Sequence, residues 1–367
     1  MEPIITGVTF HPDELLQIGT TGDNFDNTWG PDDKVYFSYC DGSLFPEVEG
    51  FPQERINHGL FRAAGGPTDY TIECLSGFPY YPWEGRKHYG YGTLSVDGRL
   101  YHFMSIKHHG NYLYFHGSKL VYSDDLGSSW SYHNGREISD DLLDVNGKNT
   151  LFWEEGRHWS FSQCSIVQCG QDYSLAKDDY VYIYAPYGRN PEDPDNSWNQ
   201  RTHDLCLARV PKRQLVEKSA YSYFQRYDAD GSAVWTDDME NLGFVCEFPR
   251  EYHSYSWFPS VVYNTALDRY IMAVGATGHD GNEPWHGPVA KLMLLSSPTP
   301  YGPWVAFYDG DWSFDAEGYH YYQPKLSCKF IENDGRDMYL LFSATADHDW
   351  IGPWYRFNQV RMTLDLE

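Results

Sequence analysis

Short β-rich runs separated by tight turns follow one another along this chain. Val181 to Tyr184 and Met338 to Phe342 carry the aromatic and aliphatic residues that suit a pleated, half-buried surface. Turn-forming residues at Ser95 to Arg99, Asn264 to Asp268 and Asn333 to Arg336 each lie between two such runs, which predicts β-hairpins. Almost no stretch shows the i, i+3, i+4 spacing of an amphipathic helix. The pattern predicts an all-β fold.

A cluster of aromatic and amide residues leads into a strand, a turn and a second strand five times. The clusters lie at Asp26 to Trp29, His88 to Tyr91, Trp159 to Gln163, His253 to Phe258 and His320 to Gln323. Recurrence at a long period predicts a β-propeller of about five four-stranded blades, with seven shorter blades as the alternative.

The two ends of the chain are predicted to close this ring. The N-terminal run from Ile4 to Phe10 would pair with the C-terminal run from Phe357 to Leu364, which leaves few exposed strand edges. Since no low-complexity linker divides the chain, we expect residues 1–367 to form one β-propeller domain.

Composition narrows the class of partner. The chain has 27 Lys and Arg against 52 Asp and Glu, a formal net charge of −25, which disfavours nucleic acid and anionic membranes. Aromatic residues make up 17% of the chain, enough for a propeller core and a sugar-binding surface. We therefore expect a sugar ligand, no nucleic-acid or membrane partner, and a monomer.

Neither a metal nor an organic cofactor is predicted. The seven cysteines contain no C-x2-C pair, and no apolar run approaches the roughly 20 residues that span a bilayer. The N-terminus shows no signal peptide, so an extracellular or periplasmic location is favoured on functional grounds alone.

The propeller geometry indicates where the chemistry lies. Residues that begin the first strand and end the second strand of each inner hairpin should meet at the mouth of the central channel. His, Arg and Lys are frequent in these segments, with His102 nearby, and a basic mouth on an acidic protein suits an acidic sugar. The predicted substrate-binding residues are Asn27, Trp29, Asp41, His108, His158, Gln163, His253, Tyr255, Trp257, His320 and Tyr322.

Several motifs resemble a carbohydrate-active propeller group. They are Ile18 to Trp29, Val35 to Gly42, Ser95 to Tyr101, Tyr122 to Trp130 and Ser296 to Trp304. The group was long labelled a domain of unknown function and includes bacterial endo-D-arabinanases. The chain is also similar to L-rhamnose-α-1,4-D-glucuronate lyases (polysaccharide lyase family 27), which act on side chains of gum arabic and arabinogalactan. The resemblance implies an enzyme that cleaves a glycosidic bond in a plant-type polysaccharide containing uronic acid.

The basic mouth favours the lyase. A base would remove the C5 proton of a glucuronate while the C4 oxygen leaves, releasing L-rhamnose, and a cation would neutralise the carboxylate. His109 and His88, with Tyr89 as reserve, are the predicted base and acid. Arg189 or Arg157 would hold the carboxylate.

Two other functions stay open. In an arabinanase-like hydrolase two carboxylates flank the bond, and the resemblance points to Asp23 and Asp41, with Asp26 as substitute. The chain reads Cys40-Asp41-Gly42 where the group is expected to read Gly-Asp-Thr, a departure at the second site. The second alternative is a sugar-binding propeller without catalytic activity.

Overall fold

The computed structural model contains a five-bladed β-propeller. It describes residues 4–84, 88–107, 115–138, 150–154, 160–187, 202–253, 255–276, 278–279, 290–314, 319–346 and 352–367. Within these ranges the regular structure is strand, apart from short 3₁₀ turns at Ser160–Ser162, Gln171–Tyr173, Lys212–Gln214, Lys218–Ala220 and Met239–Asn241. In the part of the chain described, no helix is long and apolar enough to cross a membrane.

The first three blades follow the N-terminal strand β1 (Ile5–Ile18) in chain order. Blade 1 contains β2 (Asn27–Trp29), β3 (Val35–Gly42), β4 (Ile56–Ala64), β5 (Thr71–Cys74) and β6 (Tyr81–Pro82). Blade 2 contains β7 (His88–Val96), β8 (Arg99–Lys107), β9 (Phe115–Ser123), β10 (Ser131–Tyr132) and β11 (Leu151–Glu154). Blade 3 contains β12 (Ser165–Ile166), β13 (Tyr180–Pro186), β14 (Asp204–Pro211), β15 (Ser222–Tyr227), β16 (Ala233–Thr236) and β17 (Cys246–Glu247).

The remaining strands complete the ring. β18 (Tyr252–His253) pairs only with β21 (Gly278–His279) among the described strands. Blade 4 contains β19 (Ser260–Asn264), β20 (Arg269–Ala276), β22 (Lys291–Ser297) and β23 (Val305–Asp311). Blade 5 contains β24 (Tyr319–Glu332), β25 (Asp337–Ala346), β26 (Phe357–Leu366) and β1.

Closure of the ring occurs inside blade 5, as predicted. β1 pairs antiparallel with β26, from Ile5 opposite Leu366 to Ile18 opposite Phe357. The inner strands β2, β7, β12, β19 and β24 each contact the next inner strand around the ring, and β24 contacts β2. These strands therefore line a central channel, and we call the end at which they begin the mouth.

The hydrophobic core lies between the faces of neighbouring blades. Phe37 and Phe61 of blade 1 pack with Phe357 and Tyr339 of blade 5, and the Phe37 and Phe61 rings stack at 4.9 Å. Stacked and edge-on ring pairs of this kind each add about 0.5–1.5 kcal/mol beyond area burial. Most of the aromatic residues therefore hold blades together, and only those at the mouth remain for function.

A pair of neutral histidines joins blades 1 and 2 below the mouth. His58 and His102 have no exposed surface, and their Nε2 atoms lie 3.0 Å apart. His58 Nδ1 donates to the carbonyl of Tyr39 at 3.1 Å, so its Nε2 must accept from His102 Nε2–H. His102 Nδ1 then accepts from the Thr93 hydroxyl at 3.0 Å. His102, which lies near one of these segments in sequence, is therefore an interblade core residue.

We expect this histidine pair to make the fold sensitive to acid. Burial lowers the pKa of His58 to about 3 and the pKa of His102 well below its usual value. Unfolded histidine titrates near pH 6.5, so stability is complete above that pH and falls as the pH drops toward about 3. Each histidine contributes a slope of about 1.4 kcal/mol per pH unit in that window.

Urea denaturation between pH 7 and pH 4 measures this slope. His58→Gln keeps a side-chain amide that can donate to the Tyr39 carbonyl, and it should reduce the acid slope while lowering stability at pH 7. An unchanged slope in His58→Gln would show that acid sensitivity arises elsewhere.

Candidate active site

A repeated backbone feature shapes the mouth. In four of the five blades, one residue in the inner strand or just before it has a left-handed backbone: Asn24 (φ 59°), Gly92 (φ 73°), Phe258 (φ 58°) and Gln323 (φ 55°). A side chain at Gly92 would bring its Cβ to 2.9 Å from the carbonyl oxygen of Cys164, so glycine is needed there. Non-glycine residues in this conformation cost on the order of 1–3 kcal/mol and are concentrated at functional sites.

The residues before these four positions converge near the axis. They are Asp23, Tyr91, Trp257 and Tyr322, from blades 1, 2, 4 and 5. Tyr91, Trp257 and Tyr322 belong to one buried aromatic cluster with Phe115, Phe258 and Tyr355, against which Tyr89 packs. The Tyr91 and Phe258 rings lie 4.0 Å apart between centroids. In these four blades the left-handed residue thus directs the preceding side chain toward a shared cluster, which contains these three aromatic rings and the carboxyl group of Asp23.

Asp23 is a carboxyl group buried within this cluster. Only 6% of the residue is exposed, and its Oδ2 accepts hydrogen bonds from the hydroxyls of Tyr322 (2.7 Å) and Tyr355 (3.3 Å). Burial raises the pKa of Asp23 well above its usual value, and the negative charge of Asp41 raises it further. The two tyrosines and Arg55 oppose the shift without cancelling it. Burial therefore favours the protonated form of Asp23.

The hydrogen bonds of Asp23 also indicate which oxygen carries this proton. A protonated carboxyl group has one carbonyl oxygen, which accepts hydrogen bonds, and one hydroxyl oxygen, which donates. Oδ2 accepts from two phenols, whereas Oδ1 has no hydrogen-bond partner among the described residues. The proton belongs on Oδ1, where it can be donated to a bound molecule.

Asp41 is the second carboxylate of the site. It lies on β3 beside Cys40, whose backbone pairs with that of Asp23, and it has a left-handed backbone (φ 56°). Its carbonyl oxygen accepts from Arg55 Nε at 3.0 Å and from the Tyr355 hydroxyl at 3.3 Å. Asp41 is half-buried, whereas Asp23 is buried. The two carboxyl groups thus occupy different environments in one site.

Asn57 fixes the orientation of the Asp41 carboxylate. Its Oδ1 accepts from the backbone N–H of His88 at 2.5 Å, so its Nδ2 must be the atom that donates to Asp41 Oδ1 at 2.9 Å. A hydrogen bond from Asn57 also stabilises the ionised form of Tyr89, although burial dominates and raises the pKa of Tyr89. Asn57 thus links β4 to the beginning of β7 and holds Asp41 and Tyr89 on one side of the site.

We expect Asn57→Leu to impair catalysis through Asp41. Loss of the Nδ2 donor removes a hydrogen bond that favours ionised Asp41, so kcat should fall about 10- to 100-fold and the limb of the pH–rate profile due to Asp41 should move to higher pH. KM should change little. The matched control is Asn264→Leu, because Asn264 is equally buried and its Nδ2 donates to the carbonyl of Gly335, far from the mouth. Similar pH–rate profiles in both variants would show that Asn57 is only structural.

Asp26 has a structural role. Its Oδ2 accepts from the backbone N–H of Thr93 at 2.6 Å, and its Oδ1 lies 3.3 Å from Lys325 Nζ. Lys325 is 1% exposed, and burial lowers its pKa although Asp26 opposes that shift. Because both oxygens are engaged within the core of the ring, Asp26 does not substitute for Asp23 or Asp41.

Several predicted site residues do lie together at the mouth. They are Asp41, Tyr89, Trp257 and Tyr322. His88 is adjacent, but its imidazole is buried and packs on the ring of Tyr81 with centroids 4.3 Å apart. The connection of His88 to the site runs through its backbone N–H and Asn57.

Other predicted binding residues lie outside the buried aromatic cluster of the site. Asn27 donates to the carbonyl of Leu326, and Tyr255 packs on Phe248 in the core between blades. Gln163 and His320 are buried near the beginning of the inner strands of blades 3 and 5. Trp29 lies opposite Val35 of β3, whereas Asp23 lies opposite Cys40 of the same strand. Val35 and Cys40 are about 17 Å apart along β3, so Trp29 is distant from Asp23.

Five predicted residues lie outside the described residues: His109, Arg189, Arg157, His108 and His158. For His253 only the backbone is described. In the described part of the chain, no group of three or more His, Cys, Asp or Glu side chains is arranged to hold a metal ion.

Three residues of the site were missed by sequence reasoning: Arg55, Asn57 and Tyr355. Arg55 and Asn57 flank the first residue of β4, and neither belongs to the segments that begin or end an inner hairpin. Tyr355 follows the turn Gly352-Pro353-Trp354, whose repeated form was the available signal.

Comparisons with known proteins support the family and the fold. The family model described as Domain of unknown function (DUF4185) matches residues 91–349. A structure from Bacteroides ovatus described as a "putative hydrolase" shares 14% identity over 95% of this chain and 87% of that chain, with a TM-score of 0.58. No curated protein matches this chain.

Two further solved structures cover nearly the whole chain with lower similarity. CoXyl43, a GH43 β-xylosidase/α-arabinofuranosidase from a compost microbial metagenome, shares 13% identity over 98% of both chains, with a TM-score of 0.49. A GH43_1 enzyme from Xanthomonas citri shares 14% identity over 96% of this chain and 91% of that chain, with a TM-score of 0.47.

Proposed function

This chain belongs to the family described as Domain of unknown function (DUF4185), and we propose that it is a glycoside hydrolase. The observation that carries the proposal is the pair of unlike carboxyl groups at the mouth, buried Asp23 with a raised pKa and half-buried Asp41. Glycosidases use two carboxyl groups in two protonation states, one as acid and one as base or nucleophile.

Asp23 is the general acid. Its proton on Oδ1 passes to the glycosidic oxygen as the bond to the sugar breaks, and the Tyr322 and Tyr355 hydroxyls then stabilise the new carboxylate at Oδ2. Both hydroxyls already point at Oδ2, so no reorganisation is needed as charge develops.

Asp41 is the base or nucleophile. Asn57 holds its Oδ1, and Arg55 and Tyr355 hold its carbonyl oxygen, so the carboxylate is fixed relative to the acid. An ionised Asp41 either activates water or attacks the anomeric carbon, and the separation of the two carboxyl groups decides between inversion and retention.

Tyr89 is the part of the aromatic cluster that a sugar can reach, because it is half-buried whereas the rings behind it are buried. Its apolar ring face beside a polar hydroxyl suits the mixed faces of a pyranose or furanose. The substrate class is an oligosaccharide or polysaccharide.

The site favours hydrolysis over the predicted lyase reaction that releases rhamnose. The described part of the mouth holds two carboxyl groups and phenol groups beside Arg55, and His88, a predicted base, has its imidazole buried against Tyr81. The similar structure from Bacteroides ovatus is described as a putative hydrolase. The match to the domain of unknown function supports the arabinanase-containing resemblance without supporting polysaccharide lyase family 27.

Product analysis on a polysaccharide panel tests the proposal. The protein is incubated with arabinan, arabinogalactan and gum arabic, and both new reducing ends and the ultraviolet absorbance of unsaturated uronates are followed. A hydrolase releases reducing ends without that absorbance. Absorbance that rises with the reducing ends would establish elimination, and binding without release would establish a sugar-binding propeller.

A further inference from the structure

Arg55 presents a positive charge beside the two carboxyl groups. It immediately precedes β4, is half-buried, and donates from Nε to the carbonyl of Asp41 at 3.0 Å. Its guanidinium carbon lies 3.5 Å from the centroid of the Trp83 ring, close stacking that fixes the plane of the group. Arg55 also lowers the pKa of Asp23 by its charge, so it lies within electrostatic range of both carboxyl groups.

The terminal nitrogens of Arg55 have no protein partner within the described ranges. Several described arginines form ion pairs with carboxylates, as Arg62 does with Glu73 and Arg250 with Asp204. In a chain with nearly twice as many acidic as basic residues, an arginine that lies beside two carboxyl groups and pairs with neither is unexpected. Its Nε–H is used, and no described residue engages the two terminal amino groups, which lie in a fixed plane.

We propose that Arg55, held by Trp83, binds the carboxylate of an acidic sugar, so that the preferred substrate is a glycoside containing uronic acid. This inference rests on the proposed hydrolase. A guanidinium group recognises a carboxylate through parallel N–H···O bonds, and its flat, pre-oriented form loses little freedom on binding. The ligand carboxylate would replace the missing acidic partner of Arg55.

The charges of the site agree with this assignment. Burial favours the neutral form of Asp23, so among the described residues of the site Asp41 is the negative charge that would repel a uronate. Arg55 lies against the carbonyl of Asp41 and offsets that charge. A neutral sugar needs no such cation, whereas an acidic sugar in a protein of net charge −25 does.

Matched substrates separate recognition of the carboxylate from a positioning effect on Asp41. The test compares a polysaccharide containing uronic acid with the same polymer after chemical reduction of its carboxyl groups to primary alcohols. The unmodified protein should cleave the acidic form with a kcat/KM about 10- to 100-fold higher. Arg55→Gln should bring the ratio of kcat/KM on the acidic polymer to kcat/KM on the reduced polymer near one, because it removes the charge and the paired donors. A positioning effect lowers both rates equally and leaves the ratio unchanged.

Two further variants sharpen the comparison. Arg55→Lys keeps the charge without the planar fork and should retain only part of the preference. Arg226→Gln is the matched control, because Arg226 is exposed on β15 and pairs with Asp228, and its ratio should equal that of the unmodified protein. Equal rates on both polymers in the unmodified protein would overturn the inference while leaving the hydrolase intact.

Binding measurements keep the inference testable if hydrolysis fails. Calorimetry on Asp23→Asn with glucuronate, galacturonate and their parent hexoses should show binding of an acidic sugar that Arg55→Gln abolishes. Arg55-dependent uronate binding, combined with no release of reducing ends from the polysaccharide panel by the unmodified protein, would refute the hydrolase and leave the carboxylate site standing. Binding of acidic and neutral sugars with equal affinity, or uronate binding unaffected by Arg55→Gln, would refute the carboxylate site.

Discussion

Replacing Asp23 with Asn should reduce kcat by about 10²- to 10⁴-fold, the range expected when a general acid is removed. Asparagine matches the shape of the protonated carboxyl group, and its side-chain oxygen can still accept from Tyr322 and Tyr355, so the site should keep its geometry. It has no proton of suitable acidity to donate to the glycosidic oxygen. Substrates whose leaving group needs no protonation should be far less affected, and comparing the two substrate classes checks the role.

The same variant should be more stable than the unmodified protein at neutral pH. The raised pKa of Asp23 means that the folded state holds a proton that the unfolded state releases above about pH 4. The protein therefore loses stability as the pH rises through the interval between the unfolded and folded pKa values of Asp23. The asparagine of the variant stays neutral in both states, so that loss should disappear. Urea denaturation at pH 5 and pH 8 measures it.

Asp26→Asn is the matched control for this stability effect. Both aspartates are buried in the same segment, but Asp26 pairs with buried Lys325. Loss of the Asp26 carboxylate should destabilise the protein by about 3–5 kcal/mol, because the buried charge of Lys325 is then uncompensated. If Asp23→Asn also destabilises the protein and retains turnover, Asp23 is a structural residue.

Asp41→Asn should also reduce kcat by about 10²- to 10⁴-fold, through loss of the base or nucleophile. Stability should change little, because asparagine tolerates a left-handed backbone such as that at Asp41 (φ 56°). The new amide oxygen can still accept from Asn57. Added azide or formate should restore part of the rate with a substrate that carries a good leaving group, because a small anion can replace the missing carboxylate.

Asp33→Asn is the control for Asp41→Asn, since Asp33 also has a left-handed backbone (φ 63°) but is exposed and far from the mouth. It should retain full activity. Full activity in Asp41→Asn, or the absence of any anion effect with an inactive protein, would remove Asp41 from the mechanism.

The fold was predictable because its signals are local. The turns predicted at Asp97-Gly98 and at Asn333 to Arg336 are present in the structure. The five predicted aromatic clusters each lie in or next to one of the five inner strands. Closure of the ring followed from pairing Ile4 to Phe10 with Phe357 to Leu364, and the structure extends that pairing to Ile18. Alternation and turn chemistry are properties of neighbouring residues, so the sequence carries them directly.

The site was predictable only in part, because its chemistry depends on contacts across the ring. Asp23 and Asp41 came from the resemblance to the arabinanase group, and nothing local distinguishes them from Asp26, which an ion pair with Lys325 makes structural. The roles of Asn57 and Arg55 depend on hydrogen bonds to β3 and β7. The left-handed backbone that turns Tyr322 toward Asp23 falls at Gln323, a residue type that does not signal such a conformation.

The hydrolytic mechanism depends most on the protonation state of Asp23, and infrared difference spectroscopy measures that state directly. The spectrum of Asp23→Asn is subtracted from that of the unmodified protein at pH 7, where a protonated carboxyl group and a carboxylate absorb at separate frequencies. We expect the carbonyl band of a neutral carboxylic acid in the unmodified protein. A carboxylate band in its place would contradict the assignment of Asp23 as the acid.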